Sequence, residues 1–352
     1  DDQGPATLNG AVSVFVDGAV QPNRSLTLSP MPLWDAEQVE VFMGPQSTTQ
    51  GRNSLAGAVV IQTRNPTFDP TFSAQTNAGS YGERGAAVAG GGAIIDNKVA
   101  GRIAVDYQEG DGYIDNTFLH DDANPGRTSN ARAKLLVLPN EDLDVLLTYA
   151  HGESRKGDNT IMRVNGRPRY YKMTSNTRAF DKLDQDTVSA KVDYRLDDAW
   201  SITSLTANTG SDYDARLDFD QSADRNRVVL RTQEGNLFSQ ELRLTSNSGG
   251  AFDWLFGAYY LAVERETLTQ PYILQDVTDL LGLPFSIPFI RKNFTDDNQS
   301  YAVFAHMGYQ FGGGFEISGG FRYDIDEREQ LSLIDNSVGE ATFRSLQPKL
   351  SL

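Results

Sequence analysis

The residue types that carry most enzyme chemistry are sparse and scattered in this sequence. The three histidines, His120, His151 and His306, lie far apart, and no His-Glu-x-x-His or comparable metal-binding spacing occurs. The chain contains no cysteine, which excludes thiol catalysis, disulfides and thiolate metal sites. We therefore expect no catalytic residue, no bound metal and no resident cofactor.

Positive charge is concentrated in one stretch, from Glu153 to Asp184. It holds eight basic residues against four acidic ones, so its net charge is +4 in a chain whose net charge is −16. A basic patch that also carries aromatic rings attracts an anionic ligand by steering and by charge-assisted hydrogen bonds. The candidate ligand contacts in this stretch are Arg163, Arg167, Arg169, Tyr170 and Tyr171.

The overall charge and hydropathy limit the possible partners. The 47 acidic against 31 basic residues argue against a nucleic-acid partner, whose phosphates require clustered Lys and Arg. No apolar run reaches the roughly 18 residues of a transmembrane helix. Barrel strands of about 9 to 11 alternating residues remain compatible with a membrane location. Asp1 begins no recognisable signal peptide.

Glycine and proline are dense between Val39 and Pro66 (VEVFMGPQSTTQGRNSLAGAVVIQTRNP). These residues fix tight turns, because glycine adopts positive φ without strain and proline pre-sets its own φ. The stretch therefore predicts short strands joined by turns. Residues 1–70 as a whole show no long helical period, which indicates a small mixed domain.

From Phe72 onward the sequence alternates between polar and apolar residues in strand-length segments. In the segment near 299–311, Tyr301, Val303 and Met307 share one face, while Ser300 and His306 share the other. A soluble β-sandwich would alternate too, but with its apolar face buried. The pattern predicts twelve strands near 72–79, 84–93, 98–109, 131–138, 143–152, 186–196, 200–211, 234–246, 252–265, 299–311, 315–326 and 341–352.

The connections between these segments favour a barrel over a sandwich. Tight turns such as Ile95-Asp96-Asn97 and Gly312-Gly313-Gly314 alternate with long segments such as 110–130 and 266–298. Short turns at one end and long loops at the other are typical of outer-membrane β-barrels. Aromatic residues near the strand ends fit the interfacial girdles of such barrels; they include Tyr301, Tyr309, Phe311 and Tyr323.

Together with Val12–Gly18 (VSVFVDG), the stretch Val39–Pro66 resembles the plug-domain signature of TonB-dependent outer-membrane receptors. The segments Phe238–Leu244 and Phe252–Tyr260 resemble a barrel hairpin of the siderophore-receptor branch. Gln347–Leu350 resembles the start of a later barrel strand. The plug motifs are Asp17-Gly18, Val39-Glu40-Val41, Gly44-Pro45-Gln46, Gly51-Arg52-Asn53 and the strand that ends in Thr63-Arg64-Asn65-Pro66-Thr67.

The resemblance implies a transmembrane antiparallel β-barrel with a plug inside it. Residues 1–70 correspond to the C-terminal portion of a plug domain, and residues 71–352 to the first part of the barrel. A barrel that encloses a plug needs about 22 strands. Because about 12 are counted here, we expect this chain to be a fragment of a larger receptor.

Receptors of this family join plug and barrel through plug arginines and wall glutamates. Arg52 matches one such arginine, and Glu241 matches a wall glutamate. The family's other plug arginine falls where this chain has Met43, so half of the expected latch is unmatched unless Arg64 compensates. Alternatively, Glu241 pairs with a neighbour in the sheet, such as Arg243 or Lys191.

The segment that follows the Asp17-Gly18 turn matches a plug loop that points toward the ligand in related receptors. Gln21, Asn23 and Arg24 are therefore candidate ligand contacts, the alternative being a solvated turn. The basic stretch from Glu153 to Asp184 could equally contact lipopolysaccharide phosphates, or neither lipid nor ligand.

As a function, the resemblance implies energy-coupled uptake across the bacterial outer membrane, without enzymatic activity. A ferric siderophore is the expected cargo, and iron would enter only as part of that chelate. Vitamin B12, an oligosaccharide or an aromatic compound are alternative cargoes, because a fold does not determine its ligand. The expected partners are a TonB-type inner-membrane protein, outer-membrane lipid and lipopolysaccharide. A non-transport barrel, enzyme or adhesion scaffold, is the alternative class.

Overall fold

The computed structural model contains a small N-terminal sheet and a large antiparallel sheet. Among the described residues, no helix is long and apolar enough to cross a membrane. The residues that the structure describes are 12–22, 28, 33–43, 57–158, 163–164, 167–168, 171–218, 223, 228–246, 249–273, 287–288, 292–311 and 315–351.

The N-terminal sheet contains β1 (Val12–Val16), β2 (Ala19–Val20), β3 (Ala36–Met43) and β4 (Gly57–Thr63). Its strand order is β2-β1-β4-β3, with β1 and β4 parallel and the other pairs antiparallel. Asp17 and Gly18 form the β1–β2 turn with φ values of 50° and 83°, so both lie in the left-handed region that favours glycine and aspartate.

Twelve long strands form the large sheet in the described part of the chain: β5, β6, β7, β10, β11, β15, β16, β17, β18, β20, β21 and β22. The ranges of all later strands are β5 (Thr71–Ala78), β6 (Arg84–Ile95), β7 (Val99–Gly110), β8 (Asp115–Asn116), β9 (Asp121–Asp122), β10 (Gly126–Asn140), β11 (Leu143–Lys156), β12 (Arg163–Val164), β13 (Arg167–Pro168), β14 (Lys172–Met173), β15 (Phe180–Arg195), β16 (Trp200–Asp218), β17 (Val228–Ser246), β18 (Phe252–Ile273), β19 (Ile287–Pro288), β20 (Lys292–Phe311), β21 (Phe315–Ser332) and β22 (Val338–Ser351).

Each long strand pairs with the next long strand along the chain, which confirms the predicted twelve-strand antiparallel order. The strands agree closely with their predicted limits at the short turns and run further at the long connections. For example, β18 extends to Ile273 and β20 begins at Lys292. The backbone hydrogen bonds between strands continue beyond the residues whose side chains alternate between apolar and polar. Alternation alone therefore underestimates the length of a strand.

The two faces of the large sheet differ in the way that the sequence predicts. Along β7, Arg102 and Asp106 are buried on the inner face, whereas Ile103, Val105 and Tyr107 are exposed on the outer face. Along β20, Asp296 and Asn298 are buried, but Tyr301 and Val303 are exposed. An apolar outer face with a polar interior is the arrangement of a barrel in lipid.

The large sheet curves around the N-terminal sheet. Asp35, the residue before β3, contacts Arg102 on β7, close to one edge of the large sheet. Val20 packs against a buried cluster that lies on β17, β18 and β20, near the other edge. The cluster consists of Leu237, Tyr259, Leu261, Ala302 and Phe304. Residues 64–70 connect the sheets, and the domain boundary after residue 70 stays a prediction.

Candidate functional site

Among the described residues, two ion pairs join the N-terminal sheet and its adjoining turns to the inner wall of the large sheet. In the first, Arg102 on β7 binds Asp35 with two nitrogens: Nε donates to Oδ2 at 2.8 Å, and Nη2 donates to Oδ1. Arg102 Nη1 also donates to Thr71 Oγ1 at 2.9 Å. The side chains of Arg102 and Asp35 are only 6% and 4% exposed, so this two-pronged charge-assisted contact is almost fully desolvated.

The second ion pair joins Lys134 on β10 to Asp17 at the β1–β2 turn. Lys134 Nζ lies 3.1 Å from Asp17 Oδ1 and donates to Thr63 O and Asn65 Oδ1, both at 3.0 Å. Asp17 also accepts hydrogen bonds from Thr63 N at 2.9 Å and Thr63 Oγ1 at 2.7 Å. These contacts bind the β1–β2 turn, the end of β4 and the barrel wall together.

Gly18 permits this close approach. A Cβ atom at Gly18 would lie 2.4 Å from Cδ2 of Leu205, which points inward from β16. The adjacent Gln21 adds a polar link, because its Oε1 accepts a hydrogen bond from Gln185 Nε2 on β15 at 2.9 Å. The β1–β2 hairpin and the residue after it thus contact three wall strands, β10, β15 and β16.

The predicted latch between Arg52 and Glu241 stays a prediction. Arg52 lies outside the described residues, and Glu241 forms an ion pair with Arg243 on the same strand. Met43 is described, and its side chain is exposed. The described plug-to-wall pairs have the opposite polarity from the predicted latch: the carboxylates belong to the plug and the cations to the wall.

The predicted ligand contacts are only partly described. Gln21 contacts the wall as given above, whereas Asn23 and Arg24 lie outside the described residues. Arg163 and Arg167 lie in the paired strands β12 and β13, whose side-chain positions are not described. Arg169 and Tyr170 also lie outside the described residues. Tyr171 is described and exposed, with a left-handed φ of 60°.

Tyr171 belongs to a group of three exposed tyrosines at the long-connection end of the sheet. Its ring centroid lies 5.7 Å from that of Tyr113, which lies 5.7 Å from that of Tyr81. The three rings come from three separate connections. Sequence reasoning singled out Tyr171 alone, because ring contacts between distant loops leave no local pattern. We call this group the tyrosine cluster.

The backbones that carry the tyrosine cluster are fixed by hydrogen bonds between loops. Tyr171 O accepts from Asp115 N at 2.9 Å, and Tyr81 O accepts from Asp111 N at 2.9 Å. Asn124 Oδ1 accepts from Tyr113 N at 2.9 Å. Because hydrogen bonds already fix the backbone under these exposed rings, a ligand that binds to them would lose little free energy to ordering of the loops.

A second set of contacts joins the loops below the cluster. Asn116 Nδ2 donates to Ser175 O at 3.0 Å, and Asn116 Oδ1 accepts from Ser175 N at 3.2 Å. Ser175 Oγ in turn contacts Asp218 Oδ2 at the end of β16. Ser175 and Asn116 are fully buried, which anchors the β7–β10 and β11–β15 connections to the wall.

The large antiparallel sheet has an apolar outer face and a polar inner face, and it curves around an N-terminal domain that ion pairs hold to its inner face. This is the arrangement of an outer-membrane barrel that contains a plug. Residues 3–58 match the family profile described as TonB-dependent Receptor Plug Domain. The chain therefore carries a plug domain of the TonB-dependent receptor type, and the proteins similar to it are outer-membrane receptors. The family consists of transport receptors.

Solved structures share the fold over almost the whole chain. The ferric yersiniabactin uptake receptor FyuA from Yersinia pestis superposes with a TM-score of 0.78 at 19% identity, covering 97% of this chain and 52% of that one. The unliganded ferric citrate transporter FecA gives a TM-score of 0.76 at 14% identity, covering 97% and 51%.

Sequence relatives point to the same family. The pesticin receptor of Yersinia enterocolitica is 24% identical over 346 residues, which cover 94% of this chain and 48% of the relative. The ferrioxamine B receptor of Salmonella typhimurium is 26% identical over 209 residues, covering 54% and 28%. The chain spans about half the length, or less, of these relatives.

Proposed function

We propose that the receptor to which this chain belongs takes up a ferric siderophore across the outer membrane. The observation that carries the proposal is a plug held inside the barrel by the buried pairs Asp35–Arg102 and Asp17–Lys134. A barrel so obstructed transports only when the plug moves, which requires energy. We assign that energy to a TonB-type inner-membrane partner.

The cargo assignment rests on the relatives and on the loops. Receptors for ferric yersiniabactin, ferric citrate and ferrioxamine B are among the similar proteins. The aromatic rings of the tyrosine cluster and the cationic side chains of the basic stretch 153–184 can both contact an anionic iron chelate. Iron belongs to the cargo, and the receptor has no resident cofactor and no enzymatic activity under this proposal. An adhesion scaffold would not need a plug.

Uptake in cells tests the proposal. We expect cells that lack the full-length receptor to lose uptake of a ⁵⁵Fe-labelled ferric siderophore under iron starvation, and a plasmid copy to restore it. The same cells without the TonB-type partner should bind the chelate at the surface but not accumulate it. Normal uptake of a panel of ferric siderophores by the deletion strain would reject the iron assignment and redirect the search to vitamin B12 or oligosaccharides.

The tyrosine cluster should contribute to binding of the chelate identified in this way. Aromatic contacts supply about 0.5–1.5 kcal/mol per ring, so each Tyr→Ala change at 81, 113 or 171 should weaken binding about twofold to tenfold. Isothermal titration of purified receptor measures the dissociation constant. Tyr323→Ala, on the outer face, is the matched control. An unchanged constant in the triple variant would remove the cluster from the ligand site.

A further inference from the structure

The inner wall carries two kinds of ion pair. On β18, β20 and β21 both partners belong to the barrel: Arg265 pairs with Asp296 at 2.6 Å, and Arg328 pairs with Asp326 at 2.8 Å. These pairs do not depend on the plug. On β7 and β10, by contrast, Arg102 and Lys134 have their carboxylate partners on the plug.

A third cation lies beside these two. Arg132 on β10 is 8% exposed, and its Nε has no hydrogen-bond partner among the described residues. The carboxylates that act on it electrostatically are Asp17 and Asp35 of the plug and Asp106 of the wall. Arg132 therefore also depends on the plug for most of its compensating charge.

The strand register places the three cations in one patch. Lys134 lies directly opposite Arg102, and Arg132 lies two residues from Lys134 on the same face of β10. We call these three residues the cation strip. Directly opposed like charges on adjacent strands are destabilising. The plug carboxylates of Asp35 and Asp17 reduce this repulsion, because they pair with Arg102 and Lys134.

The wall around the cation strip does not supply replacement carboxylates. Lys134 faces Thr148 on β11 and Arg132 faces Ala150, while Arg102 faces Gly91 on β6. Asp106 is the wall carboxylate that acts on Arg132, and it accepts a hydrogen bond from Asn130 Nδ2 at 2.8 Å. Withdrawal of Asp17 and Asp35 would thus leave three cations with a single carboxylate beside them.

We propose that the cation strip is a transit site for an anionic cargo, exposed when the plug carboxylates withdraw. This inference rests on the proposed transport function and specifies the charge of the substrate. Uncompensated buried cations are costly, and a passing anion replaces the lost carboxylates. Lysine and arginine lining a pore select anions. The path of the cargo therefore runs along β7 and β10, not along the self-paired wall of β18, β20 and β21.

Ion selectivity tests the cation strip without any cargo. The full-length receptor is inserted in a planar lipid bilayer, the plug is displaced reversibly with urea, and the chloride-to-potassium permeability ratio is obtained from the reversal potential in a KCl gradient. We expect the open receptor to prefer chloride. Arg102→Gln, Arg132→Gln and Lys134→Gln combined should lower the ratio at least threefold, whereas Arg84→Gln on the outer face should not.

A charge swap separates transit from mere plug attachment. Arg102→Asp combined with Asp35→Arg keeps a carboxylate–guanidinium pair but reverses the charge on the wall. We expect this variant to remain closed without urea, as the native receptor does, and to show a lowered chloride preference once urea is added. An unchanged permeability ratio in both variants would overturn the proposal, and so would the absence of any urea-induced conductance.

These outcomes are independent of the uptake assay. Loss of chloride preference with no ferric uptake in cells would retain the cation strip and reject the iron cargo. Ferric uptake with no effect of the strip on selectivity would retain transport and reject the transit site.

Discussion

Asp35→Ala is expected to weaken attachment of the plug to the barrel by about 3–5 kcal/mol, the usual effect of removing one partner from a buried ion pair. Arg102 is 6% exposed and would be left as an uncompensated cation on the inner wall. Its hydrogen bond to Thr71 satisfies one nitrogen but supplies no negative charge. Most of the expected loss of plug attachment therefore comes from leaving the buried charge of Arg102 without a carboxylate partner.

Amide hydrogen exchange of the purified receptor measures this loosening. Protection should fall in β3 and β4, which flank Asp35 and its backbone partner Arg64, and should stay unchanged in β20 and β21. Glu109→Ala is the matched control, because it removes the partner of Arg84, whose side chain is 73% exposed, and solvent screening leaves such exposed pairs with little effect on stability. Equal protection in the native receptor and Asp35→Ala would show that the pair does not hold the plug.

A double variant checks the cause. Asp35→Ala leaves the charge of Arg102 without a partner, and Arg102→Ala removes that charge. The double variant should therefore lose clearly less free energy of plug attachment than the sum of the losses in the two single variants. An additive result would mean that the two residues act on the plug independently.

The large sheet was predictable because its determinants are local. Turn signals in the sequence such as Ile95-Asp96-Asn97 predict one end of a hairpin, and alternation in segments such as Tyr301–Phe311 assigns each side chain to a face. The plug was predictable from the resemblance of Val39–Pro66. Strand ends at the long connections were not, because hydrogen bonding continues there without an apolar face.

The plug-to-wall contacts could not be derived from sequence, because they join residues far apart in the chain. From the sequence alone, Asp17 belongs to a turn and Lys134 to a strand. One signal was present: the alternation places the cations Arg102 and Lys134 on the inner faces of β7 and β10, where a plug that fills the lumen would bury them and a buried cation needs a partner. Pairing them with Asp35 and Asp17 needed the fold of the plug.

Ile103→Arg is expected to destabilise the barrel by about 2–4 kcal/mol, the range for a cation near the bilayer midplane. Ile103 is 62% exposed on the outer face of β7, between the turn at 96–98 and the aromatic Tyr107. The adjacent Arg102 shows that the same strand accepts a charge when it points inward to a carboxylate. At position 103 an arginine would meet hydrocarbon without a partner.

Unfolding of the receptor in phosphatidylcholine vesicles, followed by tryptophan fluorescence against guanidinium concentration, measures the free energy of unfolding. Ile103→Leu preserves volume and hydrophobicity and should change that free energy by less than about 1.5 kcal/mol. The difference between the arginine and leucine variants isolates the cost of charge in lipid from the cost of altered shape. If both variants unfolded at the native midpoint, the outer face of β7 would not be in contact with hydrocarbon, and the assignment of inside and outside to this sheet would be wrong.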